Sequence, residues 1–201
     1  MIEKLVEVEM PTIYGNFRML AFENEDVQAQ PHLAMIQDWD PDQPVLVRIH
    51  SECLTGDLMG SVRCDCGEQL DYALKAIHKE GGVVVYLRQE GRGIGLVNKL
   101  KAYNLQDQGL NTREANVHLG FPEDARNYDV ALDILKSINA TKIRLLTNNP
   151  EKLHAFDNSG IELVERVPIL IPPRKENLPY LKTKQDEMGH LLDINAAKGI
   201  E

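Results

Sequence analysis

The chain has 201 residues, of which 43% are hydrophobic and 26% are charged, an ordinary balance for a globular protein. Its formal net charge of −9 argues against a broad basic surface for nucleic acid, and its apolar runs are far too short to span a bilayer. The N-terminal stretch MIEKLVEVEMPTIYG lacks the basic-then-apolar pattern of an export signal. We therefore expect a cytoplasmic protein that binds neither nucleic acid nor membranes.

The first fifty residues alternate short β-like runs with turns. The runs are KLVEVEMPT, GNFRMLAFEN, HLAMIQDW and PVLVRIHS. Short strands separated by acidic turns are typical of sequential hairpins, so this part of the sequence predicts an antiparallel meander.

From Gly67 onward the pattern changes to alternating helices and strands. The sequence predicts a helix in EQLDYALKAIHKE, a buried strand in VVVYLRQ, helices over about 94–106 and 129–138, a strand in TKIRLLTNN, a helix from Pro150 to about 158, and a last ordered run in GIELVERVPI. This alternation predicts the α/β class, with a layered mixed β-sheet and flanking helices. Residues 1–171 are expected to form one domain, and 172–201 a polar tail that is mobile or ordered only with ligand.

All three cysteines of the chain lie in one short stretch, CLTGDLMGSVRCDCG. Cys53, Cys64 and Cys66 can converge if the loop folds back on itself, and Gly56 and Gly60 would permit such a turn. Thiols stay reduced in the cytoplasm, and clustered thiolates favour zinc. The alternative is a set of buried cysteines without a metal.

The number of protein ligands separates a catalytic zinc ion from a structural one. A structural site needs a fourth ligand, which here would be a histidine such as His50, His118 or His190. Three cysteines plus water is the simpler set, and a zinc-bound water can ionise near neutral pH and attack an electrophilic carbon. The stretch therefore predicts a catalytic zinc loop, with structural zinc as the alternative.

Three further stretches hold residue types that bind anions. RQEGRGIGLVNK predicts a strand–loop–helix junction with Arg88 and Arg92, although it matches neither the dinucleotide nor the P-loop fingerprint. PEDARNYD places Asp124 near Arg126, and LLTNNPEK places polar groups where a buried strand meets a helix. A tight turn, a surface ion pair and a helix cap are the respective alternatives.

Together these stretches resemble the GTP cyclohydrolase II family, which begins riboflavin biosynthesis. The matching motifs are RIHSECLTGD, RCDCGEQL, RQEGRGIGL, LQDQGLNTREAN, LTNNPEK, GIELVERVPI and TKQDEMGHLL. The resemblance covers nearly the whole chain. It implies a hydrolase that converts GTP to formate, pyrophosphate and 2,5-diamino-6-ribosylamino-4(3H)-pyrimidinone 5′-phosphate. It also implies one zinc ion per subunit, Mg²⁺ with the triphosphate, and a homodimer.

The resemblance also implies roles for individual residues. It makes Cys53, Cys64 and Cys66 the zinc ligands, Asp124 the proton acceptor and Arg126 the nucleophile. Electrostatic clamping of the α-phosphate is the alternative role for Arg126, because arginine keeps its proton. The residues expected to bind the nucleotide are Arg48, Ile49, His50, Ser51, Glu52, Gln69, Glu90, Gly91, Arg92, Thr112, Thr147 and Lys152.

Two other residues and two other functions remain to be tested. Tyr103 matches a family tyrosine beside the ring-opening chemistry, and Glu52 is a candidate for proton transfer near zinc. One alternative function is a nucleotide-sensing module with structural zinc and no turnover. The other is a thiol redox switch using Cys64 and Cys66, which is disfavoured because cysteines so close in sequence form strained disulfides.

Overall fold

The computed structural model describes residues 2–24, 30–122 and 124–192. The chain divides into two compact units. Unit 1 comprises Met1–His50, Leu70–Arg88 and Tyr128–Ile169, and unit 2 comprises Ser51–Gln69, Gln89–Asn127 and Leu170–Glu201. The last part of the predicted tail, residues 193–201, lies outside the described residues.

Unit 1 contains a mixed sheet of seven strands. The strands are β1 (Lys4–Thr12), β2 (Gly15–Phe22), β3 (His32–Gln37), β4 (Val45–Ser51), β5 (Gly82–Leu87), β6 (Lys142–Leu146) and β7 (Glu162–Val167). Their order is β1-β2-β3-β5-β4-β6-β7. β1 pairs with β2, β2 with β3 and β3 with β5, all antiparallel. β4 and β7 each pair with β6 in parallel. This confirms the predicted mixed sheet with antiparallel N-terminal strands.

The fourth predicted run does not continue the meander. β4 lies between β5 and β6, and it pairs with β6 in a register that places Val45 opposite Ile143 and Val47 opposite Leu145. The first six residues of β4 are all buried. Burial of consecutive residues is typical of a parallel strand covered on both faces, so β4 is an interior strand of the sheet.

Seven α-helices are present in the described residues. They are α1 (Leu54–Asp57), α2 (Cys66–Glu80), α3 (Leu96–Gln106), α4 (Thr112–His118), α5 (Asp129–Ser137), α6 (Pro150–His154) and α7 (Leu178–Asp186). The predicted helices α2, α3, α5 and α6 are confirmed, whereas α1, α4 and α7 were not expected. No helix among the residues described is long and apolar enough to cross a membrane.

The hydrophobic core of unit 1 joins α5 to the sheet. Ile134 and Leu135 of α5 are fully buried with Val83 and Val85 of β5 and with Ile143 of β6. Burying each such side chain contributes about 1.5–3 kcal/mol relative to leaving it exposed. This packing holds the carboxyl ends of the parallel strands β4 and β6 at one edge of the sheet.

Candidate functional site

The three cysteines predicted to bind metal meet in unit 2. Their Sγ atoms lie within 4.8 Å of one another, and those of Cys53 and Cys64 are 3.6 Å apart. Cys53 precedes α1, and Cys66 is the first residue of α2. Zn–S bonds of about 2.3 Å in a tetrahedral site place two sulfurs about 3.8 Å apart. The Cys53–Cys64 distance is close to that value, and the three cysteines could hold a metal.

A glycine leaves room for these sulfurs. A Cβ at Gly56 would lie 3.0 Å from Cys64 Sγ, 3.2 Å from Cys53 Sγ and 3.2 Å from Cys66 Cβ. Gly60 has φ +66° and makes the turn that was predicted, whereas Gly56 lies inside the short helix α1. A glycine is thus needed at position 56 because a side chain there would crowd the sulfurs, and not because the backbone needs a conformation that only glycine adopts.

The protons of the cluster are unevenly shared. Hydrogen bonding from Cys64 and then Cys66, aided by the charge of Lys99, lowers the pKa of Cys53 far below its usual range. The hydrogen bond with Cys53 raises the pKa of Cys64 to about 11. The thiolate, which is the form that binds a metal, is thus favoured at Cys53.

Lys99, on α3, is a site residue that the sequence did not reveal. Its Nζ lies 3.1 Å from Cys53 Sγ and 2.8 Å from Glu90 Oε1. The side chains of Lys99 and Glu90 are 11% and 10% exposed. Burial alone would lower the pKa of Lys99, but the hydrogen bond to Glu90 and the charge of Cys53 raise it above its usual value. Lys99 is therefore a buried cation in contact with the metal loop.

A second buried ion pair connects the metal loop to α7. Lys184 Nζ donates to Asp65 Oδ1 at 2.9 Å, and Gln69 Nε2 donates to Asp65 Oδ2 at 2.5 Å. Burial would raise the pKa of Asp65, but Lys184 and Gln69 lower it overall. On a neighbouring turn, Arg174 Nη2 donates to Glu68 at 2.6 Å. The described part of the predicted tail is thus bonded to the residues around Cys66.

The glycine loop brings two arginines of unit 2 near each other. Gly91 and Arg92 both have left-handed backbone, with φ +63° and +64°, and Arg92 O accepts a hydrogen bond from Ala125 N at 3.1 Å. Burial, together with the nearby charge of Arg126, lowers the pKa of Arg92. The Nη1 atom of Arg92 is buried and has no hydrogen-bond partner in the described chain. An arginine with a left-handed backbone and a buried guanidinium nitrogen is suited to binding an anion.

Asp124 and Arg126 form a pair with several hydrogen bonds. Arg126 Nε lies 2.9 Å from Asp124 Oδ1, and Arg126 Nη2 also donates to Asp124 Oδ2. The side chains of Arg126 and Asp124 are 13% and 30% exposed, so solvent screens the pair only in part. Burial would raise the pKa of Asp124, but the hydrogen bonds and charge of Arg126 lower it. The pair therefore holds a carboxylate and a guanidinium in their charged forms.

In unit 1, predicted nucleotide-binding residues gather where β4 and β6 end. Arg48 Nη1 donates to Leu146 O at 3.1 Å, and Lys152 Nζ donates to Ile49 O at 2.7 Å. Thr147 follows β6 directly and is 1% exposed. These polar groups are held at the carboxyl edge of two parallel strands, the usual place for a ligand in an α/β sheet.

The remaining predicted residues have the following places. In unit 1, the ring of His50 stacks on Tyr86 with a centroid distance of 5.5 Å. In unit 2, the hydroxyl of Tyr103 lies 3.2 Å from Thr55 Oγ1. Ser51, Glu52 and Thr112 also belong to unit 2, with Thr112 opening α4 behind the Asn111 cap.

The predicted site residues thus form groups within each unit. Arg48, Ile49, His50, Thr147 and Lys152 belong to unit 1, and Ser51, Glu52, Cys53, Cys64, Cys66, Gln69, Glu90, Gly91, Arg92, Thr112, Asp124 and Arg126 belong to unit 2. The candidate metal group found among the described residues consists of cysteines alone. The histidines considered as fourth ligands are not part of it.

Comparison with known proteins identifies the relatives of the chain. The sequence model described as GTP cyclohydrolase II matches residues 3–168. Proteins named "Riboflavin biosynthesis protein RibBA" are 52% identical in Chlorobium phaeovibrioides, over 99% of this chain and 49% of theirs, and 55% identical in Phocaeicola vulgatus, over 97% and 48%. The chain thus spans about half the length of these curated relatives.

A solved structure also matches the chain. It is RibBX, a two-domain 3,4-dihydroxy-2-butanone 4-phosphate synthase from A. baumannii, with 21% sequence identity and a TM-score of 0.47. The match covers 84% of this chain and 40% of that one.

Proposed function

The chain belongs to the GTP cyclohydrolase II family, and we propose that it hydrolyses GTP to formate, pyrophosphate and 2,5-diamino-6-ribosylamino-4(3H)-pyrimidinone 5′-phosphate. The observation that carries this proposal is the group of three cysteine sulfurs within 4.8 Å of one another, inside the matched region. A hydrolase that opens the guanine ring needs an activated water, and this group is suited to the metal that would supply it.

Cys53, Cys64 and Cys66 would hold zinc, one ion per chain, because cytosolic thiolates at this spacing favour zinc. Bound there, zinc would supply a water that ionises near neutral pH, as required at the electrophilic C8 of guanine. The other residues of the chain position the three metal-binding sulfurs. Lys99 holds the Cys53 thiolate, and the space left by Gly56 admits the three sulfurs.

Loss of pyrophosphate is mainly a problem of charge. Arg92 and Arg126 supply two cations in unit 2, and Mg²⁺ with the triphosphate would neutralise further oxygens. The hydrogen bonds between Arg126 and Asp124 stabilise the protonated guanidinium, which supports clamping of the α-phosphate over nucleophilic attack. Asp124, ionised and directed at Arg126, then orients the clamp.

The proposed substrate-binding residues offer hydrogen-bond donors within each unit. Arg48, His50, Thr147 and Lys152 of unit 1 offer buried donors, and Gln69 and Arg92 of unit 2 offer others. The family resemblance further supports a homodimer. Three clustered free cysteines suit a reducing compartment, so we propose the cytoplasm as the place of action.

The test is a product assay with GTP and Mg²⁺ that quantifies formate and pyrophosphate. We expect equal amounts of both from the parent protein and no formate from Cys64→Ser. Val62→Ser is the matched control, because it places the same side chain on the same loop at a residue that is 40% exposed. Unchanged formate release by Cys64→Ser would refute the metal role. GTP binding by the parent without either product would favour the nucleotide-sensing module instead.

A further inference from the structure

The sulfur of Cys53 has a cation directly beside it. Lys99 Nζ approaches it to 3.1 Å, within the range of a charged N–H···S hydrogen bond. Lys99 is held in this place by its own helix and by the glycine loop. Its backbone N–H donates to Gly95 O at 3.0 Å, and a Cβ at Gly91 would lie 3.0 Å from the Cβ of Lys99. The start of the lysine side chain therefore packs against Gly91, and its Nζ reaches the sulfur.

Both carboxylate oxygens of Glu90 accept hydrogen bonds inside unit 2. Its Oε1 accepts from Lys99 Nζ at 2.8 Å and from Gly91 N at 2.6 Å. Its Oε2 accepts from Leu54 N at 2.6 Å. Leu54 is the first residue of α1 and follows Cys53 directly. One carboxylate thus fixes both the ammonium group that contacts the sulfur and the backbone that carries it.

These contacts give Glu90 a role in addition to the nucleotide binding that the resemblance implies. Both of its oxygens already accept hydrogen bonds from the protein, and the side chain is 10% exposed. The contacts of Glu90 lead to Cys53, by one path through Lys99 and by another through Leu54.

We propose that Lys99 is a positioning residue of the metal centre, which holds Cys53 Sγ by a charged hydrogen bond while Glu90 fixes Lys99 and the start of α1. The inference rests on the proposed function, because it concerns the zinc-binding thiolate. A charged donor on a ligating sulfur withdraws electron density from it. The sulfur then gives less charge to the metal, which leaves the metal a stronger Lewis acid.

The test uses the metal-binding protein with cobalt as a spectroscopic substitute for zinc. Thiolate-to-cobalt charge transfer gives an ultraviolet band whose energy depends on the sulfur lone pair. We expect Lys99→Met to move this band to longer wavelength, because the lone pair loses its hydrogen bond. Zinc affinity, measured by competition with a chromogenic chelator, is expected to fall about 10- to 100-fold, because the sulfur loses the contact that positions it and this outweighs its greater electron donation. Lys99→Arg keeps a charged donor and should restore most of both properties.

Lys101→Met is the matched control, since Lys101 lies on the same helix and is exposed. Removing Lys99 leaves Glu90 buried without its cation, which destabilises proteins strongly. If Lys99→Met does not fold, the double variant Lys99→Met/Glu90→Gln, which leaves no buried charge unpaired, carries the same test and the same expected shift.

The outcomes separate this inference from the proposed function. A parent protein that shows the cobalt band, together with a folded Lys99→Met or double variant that keeps the parent's band and zinc affinity, would overturn the inference alone. A parent protein that takes up neither metal would overturn the proposed function and this inference with it. A band shift in Lys99→Met that Lys101→Met lacks would support the positioning role.

Discussion

Replacing Gly56 with alanine tests how the metal loop makes room for three sulfurs. The backbone of Gly56 is helical, so alanine would favour the local conformation by up to about 1 kcal/mol. The added Cβ would however lie 3.0 Å from Cys64 Sγ and 3.2 Å from Cys53 Sγ, closer than these atoms normally approach. Helix propensity and packing therefore predict opposite effects, and packing is the larger.

Inserting a methyl group into a filled site costs about 1–3 kcal/mol. If that cost falls on the arrangement of the sulfurs, zinc affinity should decrease roughly 5- to 150-fold, since about 1.4 kcal/mol corresponds to a factor of ten. Competition with a chromogenic chelator measures the change. Gly60→Asn is the control, because that position has φ +66°, which asparagine tolerates, and no atom within 4 Å of an added Cβ. Parent-like zinc affinity in a folded Gly56→Ala variant would refute the steric role.

Two further predictions concern the ion pairs. Lys184→Met should lower the free energy of unfolding by about 3–5 kcal/mol, because it leaves the buried Asp65 carboxylate without its cation. Urea unfolding measures this loss, with Lys182→Met, at an exposed position, as the control. An unchanged unfolding midpoint in Lys184→Met would contradict the prediction. The pKa of Asp124 is lower in the folded chain than its value of about 3.9 in the unfolded chain, so its carboxylate stabilises the fold above that pH. This stabilisation is lost as the pH falls through the folded-state pKa. The stability lost in Asp124→Asn should thus be constant near neutral pH and shrink below about pH 4, whereas a difference that grows on acidification would contradict the pairing with Arg126.

The pattern of the sequence was sufficient for the α/β class and for most elements. The short runs separated by turns in the first strands and the alternation of helices and strands after Gly67 are local signals, and the structure confirms the elements that they predicted. The place of β4 was not predictable in this way. Its partner in the sheet, β6, lies about a hundred residues later, and nothing within the run PVLVRIHS specifies that pairing.

The candidate site was predicted unevenly for a similar reason. Three cysteines close in sequence predict a metal-binding loop, because few other functions account for such a cluster. Lys99 and Lys101 look alike in the run LVNKLKAY, and only tertiary contacts place Lys99 at Cys53. Helix α7 lies in a polar stretch with proline, and its contact with the metal loop depends on the distant pair of Lys184 and Asp65. Whether residues 172–201 are mobile stays a prediction.

The catalytic role of the three-cysteine centre is tested most sharply by a zinc titration of metal-stripped protein with GTP and Mg²⁺ present. Formate and pyrophosphate are quantified at each step, together with zinc per chain. We expect formate release to be absent at the start, to rise in proportion to bound zinc, and to stop rising at one zinc ion per chain. Full formate release from stripped protein, or none at full occupancy, would contradict a catalytic role for the three-cysteine centre.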